Sequence, residues 1–418
     1  MKIMILGLNY APEKVGIAVY TSGMAAHLVE MGHEVHVVTG QPYYPGWHIM
    51  NDHRAILWKK RTEEGVHVTH CPHYIPARPS GRLRILHHAS FAISCLVPTL
   101  YKTIHLRPHW VITIAPSLLS APVALLAAWI SGSKSWLHIQ DFEIEAAFAT
   151  ELLAKHGLAA RSARWFEQRM LKAFRRVSTI SPQMCLKLAE KGVKPERIRE
   201  FRNWADITAV YPLETPSPYL AEWGIKTPHV ALYSGNIGNK QGIEIIIEAA
   251  RMLVARQDLT FVICGEGPNR AALESLALNL PNIHFFDLQP KERLGELLNL
   301  ATIHLMPQIK DAADLVLPSK LTNMLSSGRP VVASTPADSG LALEVADCGI
   351  VTEPDNPTAF AEAIAKLADC PSLHASYAKN ARTRAEVRWN GLGILAEWEK
   401  ELHCKNSESP KTRDFMDV

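Results

Sequence analysis

Leu232–Ala250 reads LYSGNIGNKQGIEIIIEAA. The apolar residues Val230–Tyr233 suit a buried strand, and IEIIIEAA carries the spacing of a helix with one apolar face. Between them stand Gly235, Gly238 and Gly242. Strand, glycine-rich loop and helix in this order make one unit of a parallel α/β sheet. Three glycines in eight residues let backbone N–H groups crowd an anion, and the helix start adds its positive dipole. Lys240 stands at the mouth of the loop. The same glycines also serve a tight turn that only needs φ > 0. The residues alone leave both readings open.

Working outward, the same alternation runs through the chain. Lys2–Leu6, Glu34–Thr39, Val66–His70, Val111–Ile114, Ser135–Ile139 and Val177–Ile180 read as strands of a first series. Helical stretches lie between several of them, such as Ala18–Met31, which stops at Gly32 as a C-terminal cap should. Ile207–Pro228 lapses into YPLETPSPY, a proline-rich linker. A second series follows: Val230–Tyr233, Thr260–Cys264, Ile283–Phe286, Ile303–Met306, Val331–Ala333 and Gly349–Val351. The chain has 418 residues, too many for one core. The reading is two Rossmann-like α/β domains, 1–205 and 206–388, with a cleft between them. Trp389–His403 has helical spacing, and 404–418 is a polar, disordered tail.

The net charge of +3 argues against a general nucleic-acid binder. It hides an asymmetry, because residues 1–205 carry +11 and residues 206–418 carry −8. A basic half points to an anionic partner. Seven scattered cysteines without a CxxC pair fit free thiols in a reducing cytoplasm. MKIMILGLNY lacks the features of a signal peptide and reads as a first strand. Val111–Ile130 is uncharged for the length of a membrane span. Pro116 and Pro122 interrupt it, so strand, turn and buried helix describe it better. Ala89–Tyr101 is too short to span and suits a position on a bilayer, with Arg78, Arg82, Arg84, His87 and His88 before it.

Several chemistries are excluded. No GxGxxG follows the first strand, and GEGPNR after Cys264 lacks the third glycine, so a dinucleotide is not expected. There is no P-loop and no GxSxG elbow. Two further stretches carry polar groups where parallel strands end. In Leu315–Val332 (LVLPSKLTNMLSSGRPVV), Ser319 can cap a helix and Lys320 lies in its first turn, where a cation opposes the dipole. That placement favours a phosphate contact, with Asp314 just upstream. In HIQDFE (138–143), His138 can reach a sugar or phosphate, and Asp141 or Glu143 can accept a proton. The plain reading is a strand-end histidine and two carboxylates opening a helix. HVTHCPH (67–73) offers metal-capable side chains without an established zinc spacing, and no metal is expected.

Together LNYAPEKVGIAVYT, GQPYYPGW, HIQDFE, VSTIS, FRNWADI, LYSGNIGNKQGIE, GEGP and LPSKLTNMLSSG resemble the GT-B retaining glycosyltransferases of family 4. The likeness is greatest to those of colanic-acid biosynthesis, which are thought to add fucose to a lipid-linked acceptor. The resemblance runs to about residue 400. It implies a nucleotide-sugar donor, GDP- or UDP-linked, on the C-terminal domain, and a polyprenyl-diphosphate-linked saccharide acceptor on the N-terminal one. Gly235, Asn236, Gly238, Lys240 and Gly242 would meet the diphosphate, with Gly16 approaching it by its backbone. Glu266 would lie near the nucleotide, His138 would face the transferred sugar, and the last helix would return to the N-terminal domain. Relatives carry two glutamates where this chain has Leu315 and Asn323, and an Arg and a Lys where it has Asn236 and Gln241. Lys320, with neighbouring Lys240, is the best substitute for the missing cations, and Ser319 would join the donor site. The expected enzyme is a metal- and cofactor-independent hexosyltransferase, cytoplasmic and peripheral on the anionic inner face of the membrane. The alternatives are a nucleotide-sugar epimerase of the same fold and a non-catalytic relative.

Overall fold

The structure is a computed structural model that describes residues 1–14, 16–145, 157–205, 207–238, 241–309 and 320–404. Lys240, Asp314, Leu315, Ser319 and the tail after Cys404 lie outside the described residues. The chain forms two units. One is Met1–Arg202 with the chain from Leu395 onward, and the other is Asn203–Ile394.

The first unit holds one sheet of eight strands: β1 (Lys2–Gly7), β2 (Glu34–Gly40), β3 (Lys59–Glu63), β4 (Val66–Cys71), β5 (Trp110–Ala115), β6 (Lys134–Ile139), β7 (Arg176–Thr179) and β8 (Ile198–Glu200). Their order is β3-β4-β2-β1-β5-β6-β7-β8, parallel except for β3 against β4. All six expected strands are present. The two extra ones are edges, where a strand need not be apolar. β3 reads KKRTE, and β8 has three residues. The chain leaves β1 toward β2 and returns to its other side as β5, so a switch point opens between β1 and β5.

Val111–Ile130 resolves into β5, a short turn at Leu118–Ser120 and the helix Ala121–Ser131, as its prolines imply. Ala89–Tyr101 forms the middle of a longer helix, Gly81–Leu106. It is the one helix among the described residues with the length and hydropathy of a membrane span. Phe91, Cys95, Thr99 and Thr103 turn inward, while Ile93, Val97, Tyr101 and Ile104 are exposed along the opposite stripe.

The second unit holds six parallel strands: β9 (His229–Ser234), β10 (Leu259–Cys264), β11 (Ile283–Phe286), β12 (Ile303–Pro307), β13 (Val331–Ser334) and β14 (Gly349–Thr352), in the order β11-β10-β9-β12-β13-β14. Every strand of the second series is present. Both faces are covered, which is why its strands read as unbroken apolar runs. Ile246, Phe360, Ile364 and Leu367 pack with Tyr233, Phe261 and Ile263. Leu321, Leu325, Ala381, Ala385 and Trp389 pack with Met306, Val331 and Ala333.

The proline-rich stretch is not a free linker. Val210 and Tyr219 are buried in the second unit, and the Arg382 guanidinium donates to the carbonyls of Ile207, Val210 and Ser326. The last helix begins at Gly391, later than its spacing suggests, because Trp389 belongs to the second core. From Leu395 it packs in the first unit, with Trp398 stacked on Phe201 and Trp110 Nε1 donating to the Leu402 carbonyl at 3.0 Å. All seven cysteines are free.

Candidate active site

In the second unit the chain leaves β9 for β10 and β11, then returns to β9's other side as β12. The switch point between β9 and β12 is where an open α/β sheet receives ligands. The glycine loop leaves β9 at this point. Gly235 N–H donates to the Cys264 carbonyl and Ile237 N–H to the Glu266 carbonyl, so the loop extends the ladder beyond the strand. This approach needs glycine in the facing loop. A Cβ on Gly265 would stand 1.9 Å from the Gly235 oxygen, and one on Gly267 would stand 2.2 Å from the Ile237 oxygen. GEGP is thus a packing motif for the loop above it. The amides of Asn236, Gly238 and Gly242 make no hydrogen bond to protein among the described residues. These three can still receive an anion.

Lys320 is the first described residue of the helix Lys320–Ser326, whose Leu321 and Leu325 anchor it in the core. Its ammonium lies 4.0 Å from the Tyr233 ring centre, and 3.8 Å from where a Cβ on Gly235 would be. Tyr233 in turn donates its hydroxyl to the Asn236 carbonyl at 2.7 Å. No carboxylate pairs with Lys320 among the described residues, and burial pushes its pKa down to about 7. A half-buried cation with no counter-ion among the described residues, beside amides unpaired among the same residues, is a site suited to an anionic ligand. Asn323 lies one turn further along the same helix, on the side of Lys320. Glu266 is exposed and held by Arg270 at 3.0 Å, with Arg270 also bridging to Asp287 at 2.7 Å.

In the first unit the corresponding switch point is lined by the loop after β1. Glu13, 4% exposed, accepts hydrogen bonds from Tyr43 N–H (2.8 Å), Tyr44 N–H (2.9 Å) and Asn9 Nδ2 (2.9 Å). It locks that loop to the segment 41–47. Gly16 follows with φ 65° and opens the helix Ile17–Glu30. Beside them Tyr43, Trp47, His73 and His87 form a ring cluster with centroid separations of 4.7 to 5.7 Å. We expect Glu13→Ala to leave the buried Tyr43 amide unpartnered, with the part-buried Tyr44 amide beside it, and to cost about 1–3 kcal/mol of stability, checked by urea denaturation. An unchanged midpoint would remove this role.

Two families match the chain: a "Glycosyl transferase 4-like domain" over residues 15–204 and "Glycosyl transferases group 1" over residues 219–384. The chain is 40% identical over 345 residues to WcaI of Escherichia coli (strain K12), a protein named as a colanic acid biosynthesis glycosyl transferase. The match covers 81% of this chain and 84% of WcaI. The chain belongs to the family 4 glycosyltransferases. Its fold is GT-B. Sucrose-phosphate synthase from Thermosynechococcus elongatus matches with a TM-score of 0.71 at 16% identity, over 96% of this chain and 98% of that one. Anabaena HepE, solved in complex with UDP, matches at 0.70 and 14% identity, over 96% and 100%.

Placed in this glycosyltransferase, the residues singled out from sequence divide sharply. Gly235, Asn236, Gly238, Gly242 and Lys320 come together at one switch point. His138 does not present itself to a ligand. It is 2% exposed, Nδ1 pairs with Ser178 Oγ at 2.9 Å, Nε2 pairs with Gln140 at 3.0 Å, and Phe201 covers the ring. Burial lowers its pKa to about 3, so it is a neutral interior ring here. Both ring nitrogens are taken in this structure, by Ser178 and Gln140.

Glu143 is also occupied. It accepts from the amides of Ser117 and Leu118, and so caps the turn after β5. Asp141 is the carboxyl of this stretch suited to proton transfer, because burial and the Glu143 charge raise its pKa to about 6. Glu13 and the packing of Tyr43 and Trp47 on His73 and His87 went unnoticed in the sequence, although Glu13 lies inside LNYAPEKVGIAVYT and the two aromatic residues inside GQPYYPGW.

Proposed function

We propose that this glycosyltransferase moves a sugar from a nucleotide-sugar, GDP- or UDP-linked, to a lipid-linked saccharide acceptor in bacterial exopolysaccharide synthesis. The observation that carries the donor half is Lys320 over Tyr233, a cation that pairs with no carboxylate among the described residues, beside the amides of Asn236, Gly238 and Gly242, which are unpaired among the same residues. Breaking a sugar–phosphate bond builds negative charge on the departing diphosphate, and fixed donors aimed there lower the barrier. The complex of HepE with UDP supports a nucleotide on this fold. WcaI's name supports colanic-acid-like polysaccharide as the product class, with fucose the first sugar to try. In this reading the leaving phosphate takes the acceptor proton, the sugar is transferred with retention, and Lys320 does the charge neutralisation a metal would do. Asp141 is the protein group proposed for proton transfer on the acceptor side.

The acceptor half rests on the first unit's surface. Ile93, Val97, Tyr101 and Ile104 form an exposed apolar stripe on Gly81–Leu106, with Ile56, Leu57 and Trp58 also exposed. Trp58 Nε1 donates to the Ser94 carbonyl at 2.9 Å, which joins the two patches. With +11 on residues 1–205, this surface suits an anionic bilayer presenting a polyprenyl diphosphate at the cytoplasmic face. Burying one such side chain is worth ~1.5–3 kcal/mol, so Ile93→Glu with Val97→Glu is expected to weaken binding to phosphatidylglycerol vesicles at least about tenfold. Unchanged co-sedimentation would dismiss the docking surface.

The function is tested by supplying GDP- and UDP-sugars with and without a short polyprenyl-diphosphate glycoside. Nucleoside diphosphate released only with acceptor supports transfer. A free isomer of the nucleotide-sugar would make the protein an epimerase instead.

A further inference from the structure

We infer that His53, Glu63 and His70 form a binding site for a zinc-type divalent cation in the first unit. Their ligand-capable atoms all lie within 4.8 Å of one another. The two imidazoles are 6% and 1% exposed. Neither nitrogen of His53, nor Nε2 of His70, has a hydrogen-bond partner among the described residues. Buried polar atoms are rarely left this way, and one nitrogen of each imidazole standing within 4.8 Å of the other and of a carboxylate oxygen calls for a shared ligand.

The tautomer of His70 points the same way. Its Nδ1 lies 3.1 Å from the Gly40 carbonyl, which can only accept, so Nδ1 carries the hydrogen and Nε2 keeps its lone pair. A histidine bonded through one nitrogen to a backbone carbonyl and free at the other is the usual posture of a metal ligand. Glu63 Oε1 stands 3.8 Å from that Nε2. This is too long for a hydrogen bond and close to the ~3.3 Å between two ligands of a tetrahedral zinc. The His53 and His70 rings meet edge to face with centroids 5.2 Å apart. Two imidazoles and one carboxylate suit zinc, with a fourth position left for water.

Each ligand comes from a different piece of chain. His70 stands on β4, Glu63 on β3, and His53 on the turn Asn51–His53. Lys59 and Arg61 steady that turn by donating to the Asp52 carbonyl at 2.7 and 2.8 Å. They also place two cations near the site, so the expected affinity is micromolar and not that of a zinc finger. A bound ion would clasp the segment 41–53, with Tyr43 and Trp47, onto the β3–β4 hairpin. His33, Glu399 and His403 form another such group, but there Met1 and Glu399 already occupy both His33 nitrogens.

The experiment is a titration of the full chain with Co²⁺, read by its visible d–d bands, and with Zn²⁺, read by calorimetry. One equivalent should bind, with the band intensity of a four-coordinate site, and Zn²⁺ should raise the thermal midpoint. His53→Ala and Glu63→Gln should each weaken binding at least about tenfold and lose the midpoint shift. His53 lies on a surface turn, and circular dichroism checks that its variant folds. His403→Ala should bind as the parent does. The inference is overturned by no saturable binding, by binding that His53→Ala and Glu63→Gln leave unchanged, or by binding that only His403→Ala removes.

Discussion

Replacing Lys320 by alanine is expected to lower turnover ~10²–10³-fold, the usual effect of removing one fixed donor from a developing oxyanion. The expectation follows from what surrounds the ammonium. No carboxylate neutralises it among the described residues, and the Tyr233 ring holds it over the glycine loop at the β9–β12 switch point. Such a cation gains its counter-charge only when an anion arrives, and it gains most when a leaving diphosphate carries its full charge. The loss should therefore fall mainly on kcat, with a smaller change in KM. Lys320→Met, which keeps the length and the contact with Tyr233, separates lost charge from lost packing. Both variants turning over at the parental rate would remove Lys320 from the site and leave the donor reading without its main support.

How far the sequence could be read follows from where each signal resides. A parallel strand covered on both faces is apolar throughout, so β9 and β10 are visible in the letters VALY and TFVIC. β3 escapes notice because it is an edge: in KKRTE every residue keeps some exposure. The glycine loop was legible as a candidate site, but the use of its amides was not. Gly235 and Ile237 give theirs to Cys264 and Glu266, some thirty residues away. His138 shows the same limit in reverse. A strand-end histidine looks available until Ser178 and Phe201, from later in the chain, close around it. Glu13 reads as one more polar loop residue, and only the fold of residues 41–47 over it makes it a buried acceptor. Local chemistry is written locally, while burial depends on distant partners.

Donor binding is expected to take up a proton and to weaken as pH rises above about 7. Burial holds Lys320 near pKa 7 in the free protein, so above that pH most molecules carry a neutral amine. A diphosphate binds the charged form and raises its pKa, so each binding event at pH 8 draws in close to one proton. The apparent Kd then rises by up to about tenfold per pH unit until the loaded pKa is reached. The diphosphate of a nucleotide-sugar is a diester with no proton to exchange here, so the signal belongs to the protein. Calorimetry in two buffers of different ionisation enthalpy measures the uptake directly. Lys320→Arg, whose guanidinium stays charged, should flatten the profile. The folding equilibrium has a matching sign. The unfolded lysine, near pKa 10.4, binds its proton more tightly than the folded one. Stability of the donor-free protein should therefore rise with pH between about 7 and 10 at this residue, and Lys320→Met should remove that rise. A proton count near zero at pH 8, with equal slopes for the parent and Lys320→Met, would show that the ammonium does not meet the donor's phosphates.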